Sequence, residues 1–347
     1  MSTTNHDRYD LATAGDSVRE QLSNIIYNID PTRTQFLSSV GRESSGNTLA
    51  EWQQDNLHSV NPANAAIDGA DAGSDQSEAT NRVGNYHQIS TKVIKVSGRA
   101  DAVNKAGRRT ELAYQLSKAS KSLKRDMEAI ITSNQAASAG TSSAASTTAG
   151  FLAWIRTNFT TMAASGSSAG TLSGTTYGYP DAGATLAGTD AALTETKLRT
   201  AIQAQYDSGG DSDTIMVAPA LKTVISTFLF SSSARVATLY KDTAGDGKSQ
   251  AMATGAVDVF VSDFGALTII PNRFIFHNGT VPNASVLYIY SAAMWAVSYL
   301  RNFRTIELAT TGDAQNRELL VDYALICKNE AASAVITDID ATVAMTV

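Results

Sequence analysis

The stretch "NTLAEWQQDNLHSVNPANAAIDGADAGSDQSEATNRVGNYHQISTKVIKVSG", Asn47 to Gly98, decides how the rest of the chain is read. Its two ends, "NTLAEWQQDNL" and "NRVGNYHQISTKVIKVSG", have the β-branched and alternating pattern of extended strands. Between them, residues 61–80 hold Asp68, Asp71, Asp75 and Glu78, no Lys or Arg, and too little apolar content to bury. Two strands of about ten residues would each reach on the order of 33 Å. The spacing therefore predicts a long hairpin whose acidic tip has little to pack on within its own chain.

Directly after the hairpin comes "AGRRTELAYQLSKASKSLKRDMEAIITSN", the most periodic segment of the sequence. Leu112, Leu116, Ala119, Leu123, Met127 and Ile130 recur every three or four residues, the repeat of one helix face. A single helix of about thirty residues, roughly 45 Å long, is expected. From Asp101 to Arg125 there are seven basic residues (Lys105, Arg108, Arg109, Lys118, Lys121, Lys124, Arg125) and two acidic ones (Asp101, Glu111), a local charge of +5. For an isolated run of this kind a solvated helix face is the ordinary reading.

Before the hairpin, Asp16 is positioned to cap an amphipathic helix carrying Val18, Leu22, Ile25, Ile26 and Ile29 and ending at Pro31. Beyond the long helix, residues 136–150 and 163–190 are dominated by Ser, Gly, Ala and Thr, the composition of exposed loops. "FLAWIRTNFTTM" lies between them, with Phe151, Trp154 and Ile155 as an anchor. From Thr194 onward helices are expected at "TETKLRTAIQAQYDSGG" and "ALKTVISTFLF", and strands at "TIMVAP", "AVDVFVSD", "GALTIIPN" and "SVLYIYS". In "RELLVDYALICKN", Val321, Tyr323, Leu325 and Cys327 fall on one side of a strand. The pattern is α+β.

Several function classes are disfavoured by composition. A chain of 347 residues, 43% hydrophobic, can bury a sizeable core without staples. No run approaches the roughly 18 apolar residues of a membrane span, and the polar N-terminus has no export signal. The single cysteine, Cys327, forms no internal disulfide and fits a reducing compartment. With 27 basic against 33 acidic residues, a net charge of −6, the chain is not built to grip nucleic acid through phosphates.

Chemistry is sparse. "GSSAG", residues 166–170, matches a nucleophile elbow at Ser168, but it sits in a Ser/Gly tract without the strand and helix that motif needs. "AGDGKSQ" fails as a phosphate loop because Asp242 stands where its first glycine belongs. His6, His58, His87 and His277 are scattered and offer no zinc spacing, and Asp68, Asp71 and Asp75 lack the spacing of a helix–loop–helix calcium site. No catalytic residue, cofactor or metal is expected.

The order of parts resembles the major capsid proteins of tailed double-stranded DNA bacteriophages, the HK97-like shell proteins. The resemblance is carried by "NIDPTRTQFLSSVG", "EWQQDNL", "NRVGNYHQI", "VSGRADAVNKAGRRTELAYQLSKASKSLKRDMEAI", "GFLAWIRTN", "SDFGALTIIPNRF" and "LRNFRTIELATTGDAQNRELLVDYALICKNEAA", which cover most of the chain. Gln35 departs from it, since a proline is expected there. It implies an N-terminal arm (1–46), an extended β-hairpin loop (47–98), a peripheral domain with a long spine helix (99–193), an axial domain (194–300) and a return to the peripheral domain (301–347). It also implies self-assembly as pentamers and hexamers into an icosahedral shell in the virion, formed in the host cytoplasm, with DNA held by enclosure. Portal, scaffold and decoration proteins would be further partners. The resemblance begins by about Asp16, so no fused scaffolding domain is expected. Trp52, Asp68, Asp71, Asp75, Glu78, Arg108, Lys118, Lys121, Lys124 and Arg125 become the expected subunit interface. The competing readings are an encapsulin-like nanocompartment shell, a surface adhesin or carbohydrate-binding module, and the Ser168 hydrolase.

Overall fold

The computed structural model describes residues 24–228 except 70, 72–76, 78 and 175–177, then 239–240, 252–253, 257–276 and 283–342. The expected helix capped by Asp16 lies mostly outside these residues. In its described part, Asn24 to Asp30 are irregular, and Ile25, Ile26, Tyr27 and Ile29 are exposed instead of forming a buried stripe. A helix this short gains too little from its own hydrogen bonds without a surface for its apolar face. This segment follows the long helix instead: Ile26 lies against Gly107, and Asp30 pairs with Arg125 at 3.8 Å.

The first described helix, α1 (Gln35–Ser39), leads into the short strand β1 (Gly41–Ser44). Gln35 is the first helical residue, a position where the expected proline would fit without losing a helix hydrogen bond. The hairpin follows as β2 (Leu49–Gln54) and β3 (Asn81–Tyr86), antiparallel with Trp52 opposite Val83. The second arm was expected as one run. It breaks at His87, and β4 (Gln88–Ser97) then leaves the hairpin to pair with another strand. A short α2 (Gly98–Ala102), capped by the Ser97 hydroxyl, turns the chain into α3 (Glu111–Ile131).

At 21 residues, α3 is about 32 Å long, shorter than the periodicity suggested. Two local features set its start. Gly107 takes a left-handed φ of +75°, which a continuing helix cannot accommodate, and the Asp101 carboxylate accepts the Glu111 N–H at 2.7 Å. Asp101 therefore caps a helix from ten residues away.

Next come α4 (Phe151–Trp154), β5 (Phe159–Thr161), β6 (Thr171–Leu172), β7 (Pro180–Ala182), α5 (Glu195–Asp207), β8 (Thr214–Val217) and α6 (Pro219–Thr227). The remaining elements are β9 (Leu239–Tyr240), β10 (Met252–Ala253), β11 (Val259–Ser262), β12 (Gly265–Pro271), β13 (Leu287–Tyr290), β14 (Trp295–Glu307), β15 (Ala314–Cys327) and β16 (Ala334–Thr337). Two sheets organise them, one of four strands in the order β1-β14-β15-β4 and one of six in the order β11-β12-β8-β13-β16-β5. The second contains β5 and β16, which come from sequence on either side of residues 194–300, while β14 runs across residue 300 into the first.

Alternation along the strands explains how the sheets share a core. In β8 and β13, Ile215, Val217, Leu287 and Ile289 point to α5 and α6 and meet Leu198, Ile202, Leu221 and Ile225. Met216, Tyr288 and Tyr290 point the other way, into a second core with Leu123, Met127 and Ile131 of α3 and with Val321, Tyr323, Leu325 and Cys327 of β15. At its centre Phe151 stacks on Trp295 (ring centroids 4.1 Å apart) and meets Tyr288 edge-on at 4.7 Å.

Glu128 of α3 lies in this apolar setting, fully buried. Its carboxylate accepts the N–H groups of Phe36 (2.7 Å) and Leu37 (2.8 Å) and the Nδ2 of Asn272 (2.7 Å). Thr34, the N-cap of α1, provides no side-chain cap, so Glu128 serves the orphan donors of that helix from 92 residues away. Burial pushes its carboxyl up, and the donated hydrogen bonds offset only part of that.

The Ser/Gly tracts also depart from expectation. Asn134 accepts from Ala184 N–H and donates to the Ala184 carbonyl (2.7 and 2.6 Å), and Ser168 and Thr185 exchange both backbone hydrogen bonds. A Cβ on Gly183 would lie 2.4 Å from the Asn134 carbonyl oxygen. These small residues are here because two backbones pass close together.

Removing the Glu128 carboxylate strands three buried donors, so Glu128→Ala is expected to cost about 2–4 kcal/mol of stability in denaturant unfolding. Because its carboxyl is raised on folding, its contribution is greatest below the ordinary carboxylate range and is lost as pH rises through the raised value. The difference in Tm between wild type and Glu128→Gln should therefore change with pH over that window. A pH-independent difference would contradict the assignment.

Candidate assembly surfaces

The base of the hairpin is fastened to its own chain. Trp52, expected at a subunit interface, is partly buried and packs on Trp154 of α4 with ring centroids 5.5 Å apart. Asn85 is fully buried, donates to the Leu325 carbonyl at 2.7 Å and accepts the Ala149 N–H at 2.8 Å. The Gln54 amide reaches the Lys328 carbonyl at 2.8 Å, and Gly84 and Arg82 exchange backbone hydrogen bonds with Gly178 at 3.0 and 3.1 Å. At the junction, the His87 N–H and ring Nδ1 both lie within 3.0 Å of the Thr48 carbonyl.

Past this base the character changes abruptly. Every described residue from Asp55 to Thr80 is exposed, including Leu57 (99%), Val60 (94%) and Ile67 (82%). Asp68 and Asp71 are on this loop, while Asp75 and Glu78 lie outside the described residues. The projecting part is thus the loop of residues 55–80, on strands of six residues each and not ten.

The basic residues of α3 and its approach do not form one patch. Arg108 is bound to Glu111 and lies over the Tyr114 ring. Lys118 and Lys121 are exposed, Lys124 lies over Phe303, and Arg125 is engaged by Asp30 and the Phe274 ring. At about 100° per residue Lys118, Lys121 and Arg125 share a stripe, and Lys124 is roughly 120° from Lys118.

Among the described residues no three His, Cys, Asp or Glu side chains gather as a metal site. Ser168 is in a two-residue bridge with Thr185, not between a strand and a helix, and His277 lies outside the described residues. Cys327 is wholly buried, and burial pushes its thiol well up, which keeps it protonated and unreactive. No helix among the described residues is long and apolar enough to cross a membrane.

The family model of the SU10 major capsid protein matches residues 2–340. The chain belongs to the SU10 major capsid protein family. A curated relative, the major capsid protein of Escherichia phage Phieco32, is 40% identical over 114 residues. That match spans 33% of this chain and about a third (32%) of the relative.

Solved structures agree in fold over nearly the whole chain. The capsid of a native GTA particle has a TM-score of 0.59 at 10% identity, covering 95% of this chain and 99% of that one. Gordonia phage Cozz gives 0.56 at 12% identity, covering 97% and 96%. The holo-SrpI encapsulin complex of Synechococcus elongatus PCC 7942 gives 0.53 at 12% identity, covering 99% of both. At such identities these likenesses show the fold alone, and that fold is α+β and HK97-like. Family membership makes the role of this SU10-type chain that of a structural shell protein.

Because the base is part of the core and the tip is not, their substitutions should separate. Asn85→Ala leaves buried donors and acceptors unpaired and is expected to cost about 2–4 kcal/mol. Asp68→Ser should stay within about 0.5 kcal/mol in the same denaturant titration.

Proposed function

We propose that this protein is the shell-forming subunit of a tailed-phage virion, assembling as pentamers and hexamers into an icosahedral container for the genome. The observation that carries this is the loop of residues 55–80: a rigid base in the protein's own core presents Leu57, Val60 and Ile67 almost wholly to solvent. Fully burying one such side chain stabilises by about 1.5–3 kcal/mol, a gain available here only against another chain. Repeated at every subunit contact, it favours closure under symmetry.

In this reading residues 1–46 are the N-terminal arm and 47–98 the extended loop. The four-stranded sheet with α3 forms the peripheral part, and the six-stranded sheet with α5 and α6 forms the axial part that meets its copies at capsomer centres. DNA is held by enclosure, which a net charge of −6 suits because a strongly attracting wall would oppose packing and release. Assembly takes place in the host cytoplasm, with portal, scaffold and decoration proteins as additional partners. No side chain carries a chemical step.

Negative-stain electron microscopy of the purified full chain should show uniform closed particles. Replacing residues 61–80 by a short Gly/Ser linker should leave the Tm of the subunit nearly unchanged and abolish closed particles. A full-length chain that remains a folded monomer, or closed shells from the shortened chain, would overturn the proposal. Particles filled with a co-purifying enzyme instead of DNA would favour the nanocompartment.

A further inference from the structure

We infer that the cavity between α1, β1, α3 and the irregular middle of β14 is a binding site for one nucleotide unit, a phosphate joined to a flat aromatic base. The inference does not depend on the shell reading, because every wall of the cavity belongs to a single chain.

The cavity lies beside a fault in strand pairing. Between β14 and β15 the register slips twice, from Tyr299 to Arg301 and from Arg301 to Arg304. Leu300, Asn302 and Phe303 have no residue opposite them on β15. A strand bends at such a bulge, which re-aims the neighbouring side chains. The space there is about 550 Å³, inside the range of roughly 300–1,000 Å³ found for small-molecule sites.

Its floor is apolar. Leu37 and Met127 are buried there, and the rings of Tyr299 and Phe303, with centroids 6.4 Å apart, make an aromatic wall. Its rim is cationic. Arg42 of β1 and Lys124 of α3 are exposed and hold no ion pair among the described residues. Lys124 lies 5.8 Å from the centre of the Phe303 ring, a contact that leaves its charge unmatched. The adjacent charges are already engaged: Glu43, the one acidic residue of the lining, binds Lys328 at 3.3 Å, and Arg301 binds Asp322 at 3.0 Å. The Tyr299 hydroxyl and the Asn302 amide also line the cavity and make no hydrogen bond with a described residue. Burial pushes the Tyr299 hydroxyl up more than the Arg42 charge lowers it, so it keeps its proton and can donate.

These unused groups define the ligand. Arg42 offers a planar fork to an oxyanion, with Lys124 as a second point charge. An inorganic anion would leave the aromatic wall bare, and an acidic side chain brings charge without a flat ring. A base covers the wall by stacking, which every base can do, while its edge or its sugar reaches Tyr299 and Asn302. A free nucleotide and a nucleotide of enclosed DNA share this chemistry.

Isothermal titration of the purified, DNA-free full chain separates the possibilities, using dAMP, inorganic phosphate, a short oligothymidylate and an Asp/Glu peptide as probes. One dAMP should bind per chain, and Arg42→Gln or Lys124→Gln should weaken it on the order of tenfold. Lys118→Gln removes an exposed cation from a separate cleft beside β4 and should leave binding unchanged. Phe303→Leu should weaken dAMP several-fold without altering the response to phosphate, and Arg42→Gln, at an exposed position, keeps the test open if Phe303→Leu does not fold.

Competition by oligothymidylate assigns the site to nucleic acid, and dAMP binding without that competition assigns it to free nucleotides; both support the inference. Absence of dAMP binding overturns it. So does phosphate binding as tightly as dAMP, which means an adventitious ion only, and so do equal losses in the Lys118 and Arg42 variants, which mean diffuse charge. Displacement of dAMP by the Asp/Glu peptide at concentrations below those at which dAMP binds would assign the cavity to an acidic protein segment, and also overturns it.

Discussion

Everything central to this subunit converges on a carboxylate that water does not reach. Glu128 binds the start of α1, the middle of the chain through α3, and Asn272 just after β12, so three distant segments meet at two oxygens. Tyr288 of the six-stranded sheet adds a further tie, donating its hydroxyl to the Thr132 carbonyl at the end of α3. A buried acid is costly unless its lone pairs are filled, which means that the site tolerates little displacement of any of the three segments. The two sheets are thereby held in one relation by directional bonds as well as by apolar contact.

That rigidity gives meaning to the loop. Asn85 and Gly84 fasten the hairpin to the same core region through Leu325, Ala149 and Gly178, so the exposed segment begins from a fixed point. A contact surface on a stiff mount loses less entropy on docking than one on a floppy tether. The SU10-type chain thus combines a well-tied body with a loop whose described residues are all exposed.

How much of this the sequence disclosed follows from the range of the interactions involved. β8, β12, β13 and β15 and the helices α5 and α6 were legible, because alternation and helical repeat are local properties of the residues that bury. The start of α3 was not, since it depends on the left-handed Gly107 and on Asp101 reaching ten residues along the chain. No pattern in the sequence announces Trp154 as the packing partner of Trp52. The Ser/Gly tracts misled for a different reason: small residues serve a mobile loop and a close backbone crossing equally, and only the position of Asn134 tells them apart. Of the basic residues expected at an interface, Arg108 and Lys118 line one cleft, Arg108 and Arg125 also hold ion pairs within the chain, and Lys124 lies over the Phe303 ring.

Cys327 closes off a chemical route that many assemblies use. It is the sole thiol of 347 residues and has no exposed surface, its acidity further suppressed by burial. Neighbouring chains accordingly cannot be stitched together by oxidation, and a change in the redox state of the surroundings passes unnoticed by the native fold. Whatever durability a container of this protein has does not come from disulfides between native subunits.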